Sequence, residues 1–393
     1  MHDPLLKHAS QLRPRTAVLM LAILLGVALA APMAHTQTYS VLYNFTGIPD
    51  GQNPYAGLIK DSSGNLYGTT LVGGNAGGYG TVFEINRSGT ESLLHSFDRT
   101  DGYLLFATVL RDKSGNLYGT SEQGGTGGEG VLFKLSKSGK LTVLHNFAGG
   151  TTDGCLPLGG VTMDAKGNLY GTTSLCGGGY GEVWKLSKKG KITVLHGFKD
   201  GSTDGAIPES GNFLMDKKGN LYGVTVEGGP ANRGVVYELS PAGKFTLLYA
   251  FAGGANDGCF PSGTLAMDAS GALYGTTQEC GSSGDGIVWK VANGKETLLH
   301  NFSGASDGSS PYAGVILDAK GNLYGTASAG GGSGDGVVFE LSPGGSFSVL
   351  HTFAGSDGAS PYSSLLRDAK GDLYGTANAG GSDGYGVVWK ITP

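Results

Sequence analysis

The sequence is poor in charged residues and has few patterns that indicate an enzyme. Charged residues make up only 15% of the 393 residues, and the formal net charge is -5. No cluster of basic and aromatic side chains is present, so we expect no nucleic-acid partner, since phosphate binding depends on concentrated positive charge. There is no His-Glu-x-x-His zinc signature. Helical periodicity is also absent after the first thirty residues, which leaves strands and turns as the expected regular structure.

The first thirty residues differ from the rest. Lys7, Arg13 and Arg15 precede an uninterrupted apolar run, 16–30, which ends in Ala-Leu-Ala. This order is typical of a secretory signal peptide, and the run is short for a membrane span. We therefore predict a signal peptide over 1–30, a short linker over 31–38, and no membrane span after its removal. An uncleaved N-terminal anchor is the alternative.

A repeat organises the remaining sequence. The motif Asp-x-x-Gly-Asn-Leu-Tyr-Gly-Thr, first seen at 61–69, occurs seven times with small changes, at intervals of 50 to 52 residues. Its tyrosines are Tyr67, Tyr118, Tyr170, Tyr222, Tyr274, Tyr324 and Tyr374. Each unit contains four short runs of β-branched and aromatic residues separated by Gly, Asn, Asp and Ser, which indicates four antiparallel strands. Four strands at this period predict an all-β, seven-bladed propeller over 39–393.

The two ends of the repeat are incomplete, and each supplies what the other lacks. The strand pattern that ends in Leu-His-x-Phe appears alone at 39–45, before any full unit, while the last unit stops after 387–391 without it. The N-terminal strand is therefore expected to complete the last blade and close the ring, which removes two exposed sheet edges.

The four cysteines occupy equivalent repeat positions in pairs. Cys155 and Cys176 are 21 residues apart, as are Cys259 and Cys280, and each pair flanks a predicted hairpin. We expect the disulfides Cys155–Cys176 and Cys259–Cys280, formed in an oxidising compartment. Four free thiols are the alternative. No histidine accompanies either pair at ligand spacing, so no metal site is predicted there.

The seven Gly-Asn-Leu-Tyr-Gly-Thr copies, the Gly-x-Val-Phe/Trp-Lys/Glu-Leu strands and the Leu-His-x-Phe strands resemble the GloVer tandem repeat of secreted bacterial proteins. The resemblance covers the whole chain after the signal. It implies an exported repeat protein without an established activity. The Asp-x-x-Gly-Asn-Leu-Tyr turn is also similar to that of NHL-type and streptogramin-lyase-type propellers.

Two sets of aspartates recur in every unit. The first precedes the Gly-Asn turn and is expected to accept backbone N–H groups and fix that turn. Turns such as 164–167 and 187–190 are uniform among the units and are interpreted as structural. The second set lies between units: Asp50, Asp101, Asp153, Asp204, Asp257, Asp307 and Asp357. An Asp-Gly turn explains this set without a metal, so no cofactor is predicted, and Ca²⁺ is the alternative. Histidines that exchange with tyrosine at the last strand are expected to pack or to form local hydrogen bonds.

Two loop positions vary while their neighbours do not, and such positions are candidates for ligand binding on a rigid scaffold. At the start of the first strand the candidates are Tyr55, Phe106, Glu209, Tyr312 and Tyr362. Before the last glycine of the Gly-rich loop they are Tyr79, Glu129, Tyr180, Arg233, Asp285, Asp335 and Tyr385. Aromatic rings can stack on sugars, and carboxylates can accept hydroxyl hydrogens. Unconstrained variation of exposed loops is the alternative.

These observations predict a secreted or periplasmic, non-catalytic binding scaffold for glycans or surface proteins, active as a monomer. The alternative is a propeller enzyme, a lyase or hydrolase with a carboxylate-lined mouth. Glu209 would then be its catalytic residue, because its unit carries one extra residue at this position.

Overall fold

The computed structural model describes residues 37–75, 77–208 and 211–393. Every regular element in these ranges is a β-strand. The predicted signal peptide and most of the linker lie outside the described residues. Seven four-stranded antiparallel sheets form a β-propeller, which confirms the predicted fold class.

The first three blades follow the predicted order of strands along the chain. Blade 1 contains β2 (Ile59–Lys60), β3 (Leu66–Thr70), β4 (Thr81–Ile85) and β5 (Glu91–Ser96); blade 2 contains β6 (Leu110–Arg111), β7 (Leu117–Ser121), β8 (Val131–Leu135) and β9 (Leu141–Asn146); blade 3 contains β11 (Thr162–Met163), β12 (Leu169–Thr173), β14 (Glu182–Leu186) and β15 (Ile192–Gly197). In addition, β10 (Gly154–Cys155) pairs with β13 (Leu175–Cys176).

The next three blades repeat the pattern. Blade 4 contains β17 (Leu214–Met215), β18 (Leu221–Thr225), β20 (Val235–Leu239) and β21 (Phe245–Ala250), with an added pair of β16 (Gly205–Ala206) and β19 (Glu227–Gly228); blade 5 contains β22 (Gly258–Met267), β23 (Leu273–Cys280), β24 (Ile287–Ala292) and β25 (Lys295–Asn301); blade 6 contains β26 (Val315–Leu317), β27 (Leu323–Ala327), β28 (Val337–Leu341) and β29 (Phe347–Thr352).

Blade 7 is assembled from both ends of the chain. Its strands are β30 (Leu366–Arg367), β31 (Leu373–Ala377), β32 (Val387–Thr392) and, as the outermost strand, β1 (Thr38–Asn44). The register runs antiparallel from Thr38 opposite Thr392 to Asn44 opposite Val387. The N-terminal strand therefore closes the ring as predicted.

The alternation of strand direction gives the propeller two distinct faces. The turns that join the first strand of a blade to the second, and the third to the fourth, lie at one end of the sheet, here called the turn face. The Gly-rich loops and the connections between blades lie at the other end, the loop face. Close packing joins the two turns of a blade: a Cβ at Gly115 would lie 3.3 Å from Cδ of Lys137, and one at Gly167 would lie 3.5 Å from Cδ of Lys188.

The core depends on a pairing of glycine with a large aromatic residue on the neighbouring strand. Gly171 lies opposite Trp184, and a Cβ at that glycine would be 2.4 Å from the indole Cζ2. The same relationship recurs in every blade, with Phe, Tyr or Trp as the aromatic residue. The seven rings, Phe83, Phe133, Trp184, Tyr237, Trp289, Phe339 and Trp389, are all buried. The glycine of Tyr-Gly-Thr is thus the space into which the ring packs.

The turn aspartates have the structural role predicted for them. In blade 1, Oδ1 of Asp61 accepts the backbone N–H groups of Ser63 and Asn65, both at 2.9 Å, and Oδ2 accepts the Tyr67 hydroxyl at 3.1 Å. Equivalent bonds form in the other six blades. One carboxylate thereby fixes the turn and also orients the tyrosine of the repeat.

Candidate functional site

Four of the sequence-predicted residues meet on the propeller axis. The ring of Tyr55 stacks on that of Tyr362, with centroids 4.8 Å apart and an interplanar angle of 15°. Phe106 and Tyr312 approach Tyr55 edge-on, at 5.2 and 5.7 Å. All four rings are partly exposed. They come from blades 6, 7, 1 and 2, which are consecutive around the ring, and we call them the axial aromatic cluster.

The equivalent positions of the other blades lie across the mouth, and those that the structure describes are not aromatic. Leu158 is half-buried and aliphatic, and Ser262 is buried, with its hydroxyl donating to the Tyr312 carbonyl at 2.7 Å. Glu209, the residue on which the catalytic alternative depends, lies outside the described residues. The mouth is therefore asymmetric, with aromatic rings on one side of the axis.

The channel below the rings is nearly closed. The cavity bounded by the axial aromatic cluster and by Gly211 and Gly263 has a volume of about 20 Å³. Backbones converge here, because a Cβ at Gly263 would lie 2.2 Å from the Ala313 carbonyl carbon. A second cavity of about 160 Å³ lies beyond, lined in part by Thr108 and Asn212. A ligand can therefore be held at the mouth of the channel, while the narrow space below the rings has no room for a sugar.

The second variable position has a structural role through its backbone. The carbonyl oxygen of Glu129 accepts the N–H of Leu156 in the next blade at 3.0 Å, and that of Tyr180 accepts the N–H of Ile207 at 3.0 Å. The same bond is made by the carbonyls of Arg233, Asp285, Asp335 and Tyr385, at 2.9 to 3.0 Å. Since the carbonyl makes this contact, the side chain can change from blade to blade without loss of the bond. The sequence showed only that the side chain varies at this position, and that variation gives no indication of the backbone hydrogen bond.

The side chains at this second position are spread around the loop face and are not brought together. Tyr79 packs edge-on against Tyr103 at 5.6 Å and lies 5.4 Å from the Arg99 guanidinium. Tyr180 and Tyr385 are among the most exposed large side chains, at 39% and 41%. Asp285 and Asp335 are half-buried against the connections to the next blades. A Cβ at Gly304 would lie 2.9 Å from an Asp285 carboxylate oxygen, and one at Gly355 would lie 3.8 Å from an Asp335 carboxylate oxygen.

Glu129 and Arg233 occupy a special setting beside the two disulfides. Cys155–Cys176 and Cys259–Cys280 are both formed, each with 5.5 Å between Cα atoms, which confirms the predicted pairing. A carboxylate oxygen of Glu129 and the sulfurs of the first disulfide all lie within 4.8 Å of one another. Arg233, at the equivalent position, lies beside the second disulfide. A Cβ at Gly253 would lie 3.6 Å from Cγ of Arg233 and 3.3 Å from Sγ of Cys280.

The histidines of the last strands bond the inter-blade aspartates, a pairing that the sequence did not reveal. His95 Nε2 lies 2.8 Å from Asp101 Oδ2, and the Tyr43 hydroxyl donates to Asp50 at 2.6 Å. The other pairs are His145–Asp153, His196–Asp204, Tyr249–Asp257, His300–Asp307 and His351–Asp357. The predicted local hydrogen bond of this position is thus present. These carboxylates also accept backbone N–H groups, as expected for Asp-Gly turns. The absence of a cofactor stays a prediction, with Ca²⁺ as the alternative.

One buried carboxyl interrupts the apolar core. Glu182 starts β14, where other blades place Val, Ile or Thr, and is only 2% exposed. Burial, together with the nearby charge of Asp153, raises the pKa of Glu182 to about 7, against the opposing effect of the Gly154 N–H. The carboxyl belongs to the packing around the His145–Asp153 pair and lies away from the axial aromatic cluster.

Two segments match the Gly-x-Ser-x-Gly pattern of serine hydrolases, 304–308 and 380–384. That pattern positions a nucleophile only where a strand turns sharply into a helix. Both segments lie in loops of the loop face, and the described residues contain no helix. They therefore do not provide the geometry that activates a serine. Among the described residues there is likewise no helix long and apolar enough to cross a membrane.

Comparison with known proteins identifies the repeat. The model of the Gloeobacter/Verrucomicrobia repeat family matches residues 31–216 and 176–389. No curated protein matches the chain.

Among solved structures, the virginiamycin B lyase of Staphylococcus aureus aligns over 91% of this chain and 99% of its own, with 12% identity and a TM-score of 0.57. A gluconolactonase from Xanthomonas campestris aligns over 91% of this chain and 89% of its own, with 14% identity and a TM-score of 0.44. At these identities the likeness to the lyase concerns the fold alone. The family model agrees with the first resemblance inferred from the sequence, and the lyase fold agrees with the second.

Proposed function

Since the chain belongs to the Gloeobacter/Verrucomicrobia repeat family, we propose that it is an exported binding scaffold that recognises glycans or surface proteins through the mouth of its channel. Two disulfides are compatible with an extracellular or periplasmic location, because such bonds persist in oxidising compartments. The protein would bind its ligand as a monomer and without a cofactor.

The observation that carries this proposal is the axial aromatic cluster. Four partly exposed rings from consecutive blades form one surface beside the axis, whereas Leu158 and Ser262 face them without aromatic character. Rings present large contact areas at a low cost in conformational entropy, and tyrosine adds a hydrogen-bonding hydroxyl. Such a surface suits the apolar face of a sugar ring or an exposed side chain of a partner protein.

A glycan array probed with the purified protein, with and without Ca²⁺, tests the proposal. Replacing both Tyr312 and Tyr362 by Ala should lower the affinity for any glycan that binds by about tenfold or more, since each stacking contact contributes about 1 kcal/mol. Leu158→Ala, at the equivalent position across the mouth, is the matched control and should change affinity less than about twofold. Thermal melting of all variants establishes that they fold.

The outcome also separates binding from catalysis. Glu209→Gln would abolish turnover in an enzyme that uses this carboxylate, but would only reduce affinity in a scaffold. Glycan binding that survives loss of both tyrosines in a folded protein would contradict the proposal, as would turnover of a bound glycan that depends on Glu209.

A further inference from the structure

The cations of this acidic protein are collected on the turn face. The described residues contain 24 Lys and Arg, and only Arg99, Lys199 and Arg233 lie in loops of the opposite face. Fourteen are exposed in the turns themselves: Arg87, Lys113, Lys137, Lys140, Lys166, Lys188, Lys189, Lys191, Lys217, Lys218, Lys244, Lys295, Lys320 and Lys370. Within these turns, all of which the structure describes, every exposed charged side chain is positive.

The seven other cations of this face have a local structural role. Lys60, Arg111, Lys134, Lys185, Lys290, Arg367 and Lys390 each lie over a ring of the repeat tyrosines, at 4.2 to 5.7 Å. Several also form ion pairs, such as that between Lys60 and Asp368 at 2.8 Å. None of the fourteen exposed turn cations forms an ion pair within the described part of the chain. Their charge therefore remains directed to solvent.

The exposed cations are concentrated in three neighbouring blades. Ten of the fourteen lie in blades 2, 3 and 4, between Lys113 and Lys244, and we call these ten the cationic sector. Some equivalent turns in other blades are built without lysine. Lys217 and Lys218 correspond to Ala269 and Ser270 in blade 5, where the aspartate bonds of the turn are retained. The turn conformation therefore does not require these lysines, and their concentration is not a by-product of the repeat.

We propose that the cationic sector binds a linear anionic polysaccharide and so anchors the propeller with its loop face turned outward. All ten cations are lysines, which attract repeated charges as compact points and lack the planar fork that pairs with individual phosphates. No exposed aromatic ring lies in these turns on which a nucleic-acid base could stack, and they contain no large apolar side chain for insertion into a bilayer. A polymer carrying an acid group on each sugar, carboxylate or sulfate, complements such a surface.

The binding is testable with defined polymers. Alginate carries carboxylates, heparin carries sulfates, and dextran is a neutral chain. Wild-type protein should bind at least one of the two anionic polymers at low ionic strength, and the affinity should fall steeply with added salt because exposed charges are screened. Dextran should not bind. Comparing alginate with heparin distinguishes the two acid groups.

Two four-site variants with equal loss of charge assign the interaction to the sector. The sector variant combines Lys140→Ser, Lys189→Ser, Lys191→Thr and Lys217→Ala, which introduces residues of the kinds found in turns of other blades. Its affinity for the anionic polymer should fall by about tenfold or more, since several contacts are lost together. The thermal melt should remain that of the wild type, because these side chains are exposed and form no ion pair.

The control variant removes four turn cations outside the sector: Arg87→Ser, Lys295→Ser, Lys320→Ser and Lys370→Ser. Its affinity should change less than about threefold. Equal losses in both variants would show that net charge alone governs binding, which would overturn the proposal. Failure to bind either anionic polymer would overturn it, and tighter binding to DNA or to anionic phospholipid vesicles would overturn the choice of occupant. These measurements do not depend on the axial aromatic cluster, so failure of the proposed glycan or protein binding there would not affect them.

Discussion

Tyr39 of the N-terminal strand stacks face to face on His351 of blade 6, with ring centroids 3.6 Å apart and an interplanar angle of 4°. The tyrosine hydroxyl also donates to the Asp357 carbonyl at 2.6 Å. Phe245 and Phe347 stack on the histidines of their preceding blades in the same way. The contact between blades 6 and 7 is thus an ordinary inter-blade contact, made by a strand from the other end of the chain.

Loss of this stack should weaken ring closure. We expect Tyr39→Ala to lower the free energy of unfolding by about 2 kcal/mol, because a half-buried aromatic contact is lost at the blade 6–blade 7 interface. Tyr39→Phe keeps the ring, as at Phe245 and Phe347, and should cost less than about 1 kcal/mol. Chemical denaturation of the two variants measures the difference. Equal destabilisation by both would show that the hydroxyl, rather than the stacked ring, holds the strand.

The Glu182 carboxyl should make the free energy of unfolding decline as the pH rises from about 4.5 to 7, whereas the lowered pKa values of His300 and His351 act in the opposite direction. The pKa of Glu182 is raised from its ordinary value of 4.5 to about 7 by burial and by Asp153. The unfolded chain therefore loses this proton at lower pH than the folded chain, and in that window the folded state binds more protons. Glu182→Gln should reduce the decline and stabilise the protein at pH 8 by about 2 kcal/mol.

The pH dependence has a matched control. Glu279 is exposed on the loop face, and Glu279→Gln should leave the decline in stability unchanged. Glu91 and Glu296 also have pKa values raised to about 7 by burial and by a neighbouring aspartate, so part of the decline should persist in the Glu182→Gln variant. Denaturation curves at pH 4.5, 6 and 8 measure the slope. A slope identical to that of the wild type would exclude Glu182 as a contributor.

The glycine of Tyr-Gly-Thr should not tolerate a methyl group. In Gly171→Ala the added Cβ would overlap the Trp184 ring, which is fully buried and cannot move aside, and we expect a loss of about 3 kcal/mol. Gly197 in the same blade also lies in a strand, and a Cβ there would have its nearest neighbour at 3.4 Å. Gly197→Ala should change stability by less than about 1 kcal/mol. Thermal or chemical denaturation of both variants provides the comparison, and equal effects would contradict the packing argument.

The two disulfides should differ in their reaction with thiols. Cys176 and Cys280 are the more exposed cysteines of their pairs, but Glu129 lies beside the first disulfide and Arg233 beside the second. A guanidinium favours both the approach of an anionic thiolate and the departure of the thiolate that is released, whereas a carboxylate opposes them. We expect glutathione to open Cys259–Cys280 several times faster than Cys155–Cys176.

Alkylation followed by peptide mapping measures the two rates in one sample. Exchanging the neighbours, with Glu129→Arg and Arg233→Glu in the same protein, should reverse their order. Rates that remain in the original order after the exchange would attribute the difference to exposure instead of charge.

The sequence predicted the features that depend on periodicity. Blade number, ring closure and disulfide pairing all follow from aligning the repeat units, because the alignment assigns each residue to a blade and to a position within it. The pairing of His95 with Asp101 was not predicted, although both belong to recurring positions, because hydrogen-bond partners depend on how the connection between blades folds back. The hydrogen bond accepted by the Glu129 backbone carbonyl was not predicted either, because a backbone contact does not restrict the type of side chain.

The surfaces were the least predictable. Tyr55 and Tyr362 are more than 300 residues apart in sequence and stack only because the ring closes. The turns at 164–167 and 187–190 were interpreted as structural, and their backbones are. Their lysines escaped notice because charge that is dispersed along a sequence becomes a patch only when equivalent turns are placed side by side.

The composition of blade 7 also makes an intact ring depend on both ends of the described chain. β1 is made first, yet its partner β32 lies at the other end of the described chain. Until β32 is available, β1 has an open edge that can pair with another molecule. Blades 1 to 6 contain all their own strands, so blade 7 is the one described four-stranded sheet that needs both ends of the chain to meet. Removal of either end strand would therefore open the ring at this single seam.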